Sequence, residues 1–450
     1  MTARSELLEL AERIAGWARD GEQVEAYVAR SRDTEVKVFD TDVESLSSAE
    51  SEGVGVRVVV DGRQGFAYAG SLDPSVVEEV LGEARDNASF GTADEFNGLP
   101  VPDGVAAAQL DLYRDSLASF PTDEKVALAI QLDKATRAAD ARIRGLEATE
   151  YGDSIIESAV ATSTGIRASN RRTVCSIYAE ALAGEGTGTQ TGYGYSVGRS
   201  ADELDVDAAA RDAAERATRL LGAKQPKSAR VTILLEPRMT ASLLGVLSST
   251  LSGEAVLKGR SMFADRVGDD VSVPFVTLVD DPTDARAYGA TPYDAEGLAT
   301  RRNVLFDGGV LQGFLHNTYT GRRSASGSTG SAVRGGFKST PGVGARALAL
   351  DPGTKSLDEL LAEVGDGLLV QSMQGLHSGV NPVSGDFSVG IEGLMVRGGA
   401  LAEPVREATM ASTLQRMLKD VVAVGGDVEW LPGGAAGVTL VLRDVTISGN

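Results

Sequence analysis

Val54-Gly-Val-Arg-Val-Val-Val60, Asp61-Gly62 and Arg63-Gln-Gly-Phe-Ala-Tyr-Ala69 follow one another without a gap. Valines at 54, 56, 58 and 60 alternate with other residues, which is the period of a half-buried strand. Asp-Gly then supplies the two positive-φ positions of a tight hairpin turn. An antiparallel pair therefore anchors the first segment. Upstream, Val24, Ala26 and Val28, then Val36 and Val38, read as further short strands. Leu7, Leu10, Ala11, Ile14 and Ala18 fall on one face of a helix. Downstream, Pro74 sits at a helix start, with Val76, Val77, Val80, Leu81 and Ala84 as its apolar stripe. Residues 1–100 are thus expected to form an N-terminal α/β portion of antiparallel strands and packing helices. The stretch 87–120, rich in Gly, Pro, Asp and Asn, reads as a long connection.

Residues 115–225 read as a middle α+β segment packing with the first. Thr122 is the expected N-cap of a helix whose first turn carries Asp123 and Glu124, where carboxylates suit the helix dipole. Strand-like runs follow to about 183, then a Gly-rich stretch to Gly198 and an Ala-rich helix over 205–222. Residues 229–450 are expected to form a strand-rich, barrel-like C-terminal domain, making the whole chain α+β. Val231-Thr-Ile-Leu-Leu235 opens it, and Pro237 starts a helix lined by Leu243, Leu244 and Leu247. Ser356-Leu-Asp-Glu359 is a capping box. The spacing of Leu414, Met417, Leu418, Val421 and Val422 predicts a helix over 408–424, stopped by Gly425.

The chain has 450 residues, enough for two or three domains, and 43 basic against 64 acidic residues give a net charge of −21. Such a surface repels nucleic-acid phosphates and anionic lipid, so direct nucleic-acid and membrane partners are not expected. Glycine is abundant, 53 of 450 residues against a usual ~7%, which points to tight turns and close backbone contacts. No run of 18 apolar residues offers a membrane span. The N-terminus lacks a basic region followed by an apolar core. Cytoplasmic localisation is the expectation, in keeping with a single cysteine, Cys175.

Chemistry is scarce. The only histidines are His316 and His377, and neither belongs to a His-Glu-x-x-His or His-Glu-x-x-x-His helix that places two metal ligands on one face. Satisfied structural or exposed positions are the plainer reading for both. Cys175 lies in an apolar alternation and reads as a buried thiol rather than a nucleophile. No Gly-x-Ser-x-Gly elbow occurs. A triad assembled through space stays open. Gly192-Tyr-Gly-Tyr-Ser-Val-Gly198 misses the dinucleotide spacing, and Gly335-Gly-Phe-Lys-Ser339 lacks the glycine before a Walker lysine. Loop or close strand packing is the better reading of both. Ser324–Ser331, between Arg322-Arg323 and Arg334, is a small-residue loop able to clamp a peptide or an anion, with a mobile surface loop as the alternative.

Several motifs together resemble the TldD/PmbA family, also called modulators of DNA gyrase. They are Val279-Asp-Asp-Pro282, Asp294-Ala-Glu-Gly-Leu-Ala-Thr-Arg-Arg302 and Val310-Leu-Gln-Gly-Phe-Leu-His-Asn-Thr-Tyr-Thr320 with Ser328-Thr-Gly330. Ser378-Gly-Val-Asn-Pro-Val-Ser-Gly-Asp-Phe-Ser388, Ile391-Glu-Gly393, Gly53-Val-Gly-Val-Arg-Val58 and Gly65-Phe-Ala-Tyr68 join them. The resemblance implies a cytosolic peptidase of two related subunits. One, TldD, carries zinc on a His-Glu-x-x-x-His helix; the other, TldE (PmbA), lacks those ligands. In this chain the corresponding positions fall near Leu244, Gly245 and Ser249, none of which binds zinc, and Cys175 lies too early to match a third ligand.

The resemblance therefore implies no catalytic residue and no metal in this chain. Zinc is expected in a TldD-like partner of a heterodimer acting on unfolded or extended peptides. The polar, Gly-rich loops 320–334 and 376–388, together with His316 and Asn317 just before the first, give the peptide-facing candidates His316, Asn317, Arg323, Ser328, Gly330, His377, Ser378, Asn381 and Asp386. A non-enzymatic peptide-binding or scaffold homodimer, and an independent hydrolase with an unrecognised site, remain open on the residues alone.

Overall fold

The computed structural model describes residues 6–449, so the part of the N-terminal reading that falls on residues 1–5 lies outside it. The N-terminal region runs α1 (Glu6–Ala15), β1 (Glu22–Phe39), β2 (Asp42–Val60), β3 (Arg63–Ala69), α2 (Pro74–Phe90), α3 (Asp115–Ala118), α4 (Thr122–Ala139), β4 (Ile143–Thr162), β5 (Arg167–Ala183), β6 (Gln190–Gly198) and α5 (Val206–Thr218). All six strands share one antiparallel sheet in the order β3-β2-β1-β4-β5-β6. The Asp61-Gly62 turn forms as its sequence dictates, with φ of 49° and 70°. The two valine runs at 24–28 and 36–38 belong to a single 18-residue strand rather than two short ones. The polar stretch Arg30–Asp33 between them interrupts the apolar pattern but not the pairing with β2 and β4.

Helices cover one face of this sheet in two groups. Leu7, Ala11 and Ile14 of α1 and Val77, Val80, Leu81 and Ala84 of α2 bury Val24, Ala26, Val28, Val54, Val56 and Val58. Leu132 of α4 and Ala209, Ala213 and Ala217 of α5 bury Val36, Val38, Tyr151, Cys175 and Ile177. The Gly-rich stretch is strand β6. A Cβ at Gly192 or Gly194 would sit 2.1 or 2.0 Å from the backbone of α5, so these glycines set how closely helix meets sheet.

The C-terminal domain contains β7 (Ala229–Leu235), α6 (Pro237–Thr250), α7 (Gly253–Leu257), β8 (Leu278–Asp280), β9 (Asn303–Asp307), β10 (Val310–Leu311), α8 (Thr318–Arg323), β11 (Ala332–Val333), β12 (Gly342–Val343), β13 (Leu348–Leu350) and α9 (Leu357–Val364). It continues with β14 (Gly367–Gln374), α10 (Leu376–Gly379), β15 (Asp386–Arg397), β16 (Ala400–Thr413), α11 (Leu414–Lys419), β17 (Val421–Val424), β18 (Glu429–Trp430), β19 (Ala436–Gly437) and β20 (Leu440–Ser448). Strands β16-β15-β14-β7-β20 pair in that order, and β16 also pairs with β20, closing a five-stranded barrel. Its interior includes Ile233, Leu235, Leu368, Val370, Val389, Ile391, Met410 and Leu442, and Leu243, Leu244 and Leu247 of α6 join that core. The capping box at Ser356 is made in both directions, with Ser356 Oγ accepting from Glu359 N and the Glu359 carboxylate accepting from Ser356 N.

The helix expected over 408–424 is not there. Residues 408–413 extend β16, with Ala408 and Met410 buried in strand alternation and paired to Ile391 and Val389 of β15. Only Leu414–Lys419 is helical, and Val421–Val424 turns back as β17 to pair with β20. Leu414, Met417 and Leu418 hold that short helix, while barrel closure claims the flanking residues.

The two regions pack on each other through bare backbone. A Cβ at Gly53 would lie 2.5 Å from the Phe337 ring, and one at Gly55 would lie 2.3 Å from the Phe337 carbonyl oxygen. A Cβ at Gly297 would strike Ile166 at 2.4 Å. Beside it, Val160 and Ala168 of the sheet and Ile166 of the β4–β5 turn form an apolar cluster with Leu298.

Candidate functional site

Helix α6 starts at Pro237 and ends at a tight joint with α7. Ser252 caps α7 by accepting from Ala255 N, and the joint is stitched to the segment before α8 by Leu315 N to Leu251 O and Gly253 N to Leu315 O. This brings Leu315–Thr320 against the end of α6. Gly253 is required there, because a Cβ would stand 2.2 Å from His316 Nδ1. Asn317 caps α8: its Oδ1 accepts from Thr320 N at 2.9 Å, and Thr320 Oγ1 accepts from Asn317 N.

His316 is 5% exposed, so it does not face a peptide as expected from the sequence. Its Nδ1 lies 3.2 Å from Thr320 Oγ1, and burial lowers its pKa, leaving the ring neutral at pH 7. Ser328 and Gly330 belong to the loop that holds it. Thr329 N and Ser328 Oγ donate to His316 O, and buried Gly330 leaves no room for a side chain beside Ala299 O. His316, Asn317, Ser328 and Gly330 therefore do come together, as a structural knot.

Above this knot a cleft of about 580 Å³ separates the two regions, lined by Arg57 and Gln64 of the sheet and by Glu254, Lys258, Asn317 and Arg323. Glu254 and Lys258 form an ion pair on α7. Arg323 donates to Tyr319 Oη, which donates to Asp94 Oδ2 at 2.9 Å. Asn317 Nδ2 reaches the carbonyls of Pro341 and Gly342. The flanking arginines of the Ser324–Ser331 loop do not form the clamp that the sequence allows. Arg322 Nη2 donates to Leu99 O at 2.7 Å, and Arg334 is buried in an ion pair with Glu25.

His377, Ser378, Asn381 and Asp386 form a separate, exposed group around α10 and the start of β15. Asn381 Oδ1 accepts from Val383 N, Asn381 N donates to Asp386 O, and Ser384 Oγ donates to Asp386 Oδ2. Among the described residues no hydrogen bond joins this group to the His316 knot.

Sequence reasoning missed the charged core under the cleft. Arg57 Nη2 donates to Glu25 at 2.6 Å and to Glu296 at 3.1 Å, and Arg334 donates to the other Glu25 oxygen at 2.7 Å. Glu296 Oε2 also accepts from Thr318 N at 2.8 Å, tying the network to α8. Burial alone would push the Glu25 carboxyl up; Arg334 and Arg57 outweigh it and hold it below the usual carboxylate range. Burial, and then the charge of Glu296, push the Asp294 carboxyl above the usual carboxylate range. The available signal was a charge set inside an apolar alternation, Arg57 between Val56 and Val58.

The residues on α6 do not fit a zinc site. Leu244 is buried in the barrel core, Gly245 has no side chain, and Ser249 Oγ donates to Val246 O. Among the described residues no group of three His, Cys, Asp or Glu side chains is placed to hold a metal. Cys175 is buried on the sheet, and burial, then Asp153, push its thiol up to about 12.

Family models match three consecutive blocks: PmbA/TldA metallopeptidase domain 1 over 24–88, the central domain over 115–221 and the C-terminal domain over 228–449. The chain belongs to the PmbA/TldD family. Metalloprotease PmbA of Escherichia coli is 26% identical over 453 residues, spanning 100% of this chain and 97% of its own length. A PmbA homolog of Haemophilus influenzae is 26% identical, covering 96% and 93%. A solved structure from Bacteroides thetaiotaomicron, named for modulation of DNA gyrase, superposes with a TM-score of 0.88 at 27% identity, over 99% of this chain and 100% of its own. TldE from Thermococcus kodakarensis shares the fold, with a TM-score of 0.88 at 24% identity over 95% and 97%.

Proposed function

We propose that this member of a metallopeptidase family is the TldE-like, metal-free subunit of a heteromeric peptidase. The observation that supports this reading is α6, which carries no His, Cys, Asp or Glu from Pro237 to Thr250; the resemblance puts the family's zinc motif near its Leu244, Gly245 and Ser249. A TldD-like partner would supply zinc and with it the activation of water. This chain would complete the chamber and help hold an unfolded or extended peptide. Asn317 and Arg323 in the cleft, and the exposed His377, Ser378, Asn381 and Asp386, are its peptide-facing candidates. An independent hydrolase finds no support in His316, whose buried ring has no carboxylate partner among the described residues.

Among the described residues no helix is long and apolar enough to cross a membrane, and cytoplasmic residence is part of the proposal. So is the absence of direct nucleic-acid contact, which rests on the net charge of −21. The test is co-expression with a relative that carries His-Glu-x-x-x-His, followed by peptide cleavage assays of each chain alone and of the pair. The proposal expects a stable complex whose cleavage exceeds the sum of the parts. Cleavage by this chain alone, or no association, would refute it.

A further inference from the structure

A second cavity, of about 100 Å³, lies between the sheet and the C-terminal domain; its lining includes Tyr27 of β1, Asn170 and Arg172 of β5, and Asp294, Arg334 and Arg346. Three guanidiniums thus meet in one small space. Arg334 has a side chain only 1% exposed, lies over the Tyr27 ring at 4.4 Å, and spends Nη2 on Glu25. Among the described residues its Nε and Nη1 have no hydrogen-bond partner, and neither has Arg346 Nε. No carboxylate lies within ion-pair distance of Arg172 or Arg346 among the described residues, and Arg172 feels Arg346 as a like charge. Burial, and then that like charge, hold the Arg172 pKa below the usual arginine range.

The nearby carboxyls do not resolve this. Asp294 Oδ1 accepts from the backbone N–H groups of Glu296 and Leu298, and Oδ2 from that of Ala332. Asp280 Oδ1 accepts from the N–H groups of Arg346 and Ala347. Asp294 is therefore spent on backbone; Asp280 keeps Oδ2 without a hydrogen bond but does not line the cavity, and both act on Arg346 only through charge, with no hydrogen bond to its side chain among the described residues. Buried donors without partners are costly, and forked guanidiniums match a compact oxyanion well. The volume exceeds a single water's share of ~30 Å³. It suits an ion the size of phosphate.

We propose that this cavity binds a compact oxyanion through Arg172, Arg334 and Arg346. Because Arg172 belongs to the sheet and the other two to the C-terminal domain, the bound ion clamps the two regions together. Its source is a free inorganic ion or the carboxylate of a larger molecule. Calorimetric titration of the full chain at constant ionic strength separates these, using inorganic phosphate, sulfate and acetate in turn. One phosphate or sulfate per chain, with Kd at or below about 1 mM and a rise in Tm, is the expected result. Acetate binding more tightly than either would give the site to a carboxylate. Arg172→Gln removes a side chain that makes no hydrogen bond or ion pair within the described residues, so the chain should fold. It should weaken binding at least about tenfold, with Arg172→Lys intermediate. No saturable binding of any of the three up to about 10 mM, or unchanged affinity in Arg172→Gln with native circular dichroism, overturns the proposal.

Discussion

Arg57→Met tests whether the charged core beneath the cleft holds the two regions together. Wild-type Arg57 lies between Glu25 and Glu296, whose side chains are each 1% exposed. Methionine keeps much of the volume and removes the charge. Glu25 would retain Arg334, but Glu296 would keep only the N–H of Thr318. A buried carboxylate stripped of its counter-ion costs about 3–5 kcal/mol, and that is the destabilisation expected in urea denaturation at pH 7. The pH dependence has a definite sign. Glu25 has a folded pKa below its unfolded value, so its contribution is present above pH ~4.5 and lost as pH falls through the folded value. The penalty of Arg57→Met should accordingly shrink in acid. Adding Glu296→Gln should recover part of the loss, because the orphaned charge is then gone. A destabilisation below about 1 kcal/mol, or a double variant less stable than the single one by the full cost of Glu296→Gln alone, would refute the reasoning.

Other consequences follow from single contacts. Gly55→Val places a side chain against the backbone of Phe337 and should cost about 3 kcal/mol or more in urea denaturation; a change within about 0.5 kcal/mol would contradict the docking described. Cys175 in the native chain should resist a thiol reagent such as DTNB at pH 8, since burial pushes it up to about 12, and should react once the chain is denatured. Rapid labelling of native protein would oppose that burial. Asp280 is pushed up to about 6 by burial, above an unfolded value near 4, so its stabilising contribution is complete in acid and fades as pH rises through 6. Asp280→Asn should therefore gain about 2–3 kcal/mol relative to wild type between pH 4 and pH 8. Parallel stability curves would contradict it.

Local signals were legible in the sequence because local chemistry decides them. Asp61-Gly62 fixed its turn, Pro237 began its helix, and Ser356 with Glu359 made its cap. The stretch 408–424 misled because spacing at 414, 417, 418 and 421 fits a helix, while the pairing of β16 with β15 and β20 is set by residues far away in the chain. Neither could the sequence show that Gly53 and Gly55 exist to receive Phe337, or that Glu25, Arg57, Glu296 and Arg334 meet in one network. His316 was visible as a candidate but not its burial, which depends on Gly253 closing over the ring. Long-range packing carries no local periodicity, and the site is made almost entirely of such packing.

The most direct test of the central claim is the zinc content of the purified chain, alone and bound to a His-Glu-x-x-x-His relative, after equilibration with the metal and removal of excess. The expected result is substoichiometric zinc on the chain alone and zinc in the complex that is lost when the relative's histidines are replaced. One tightly held zinc per isolated chain, unaffected by the relative, would contradict it.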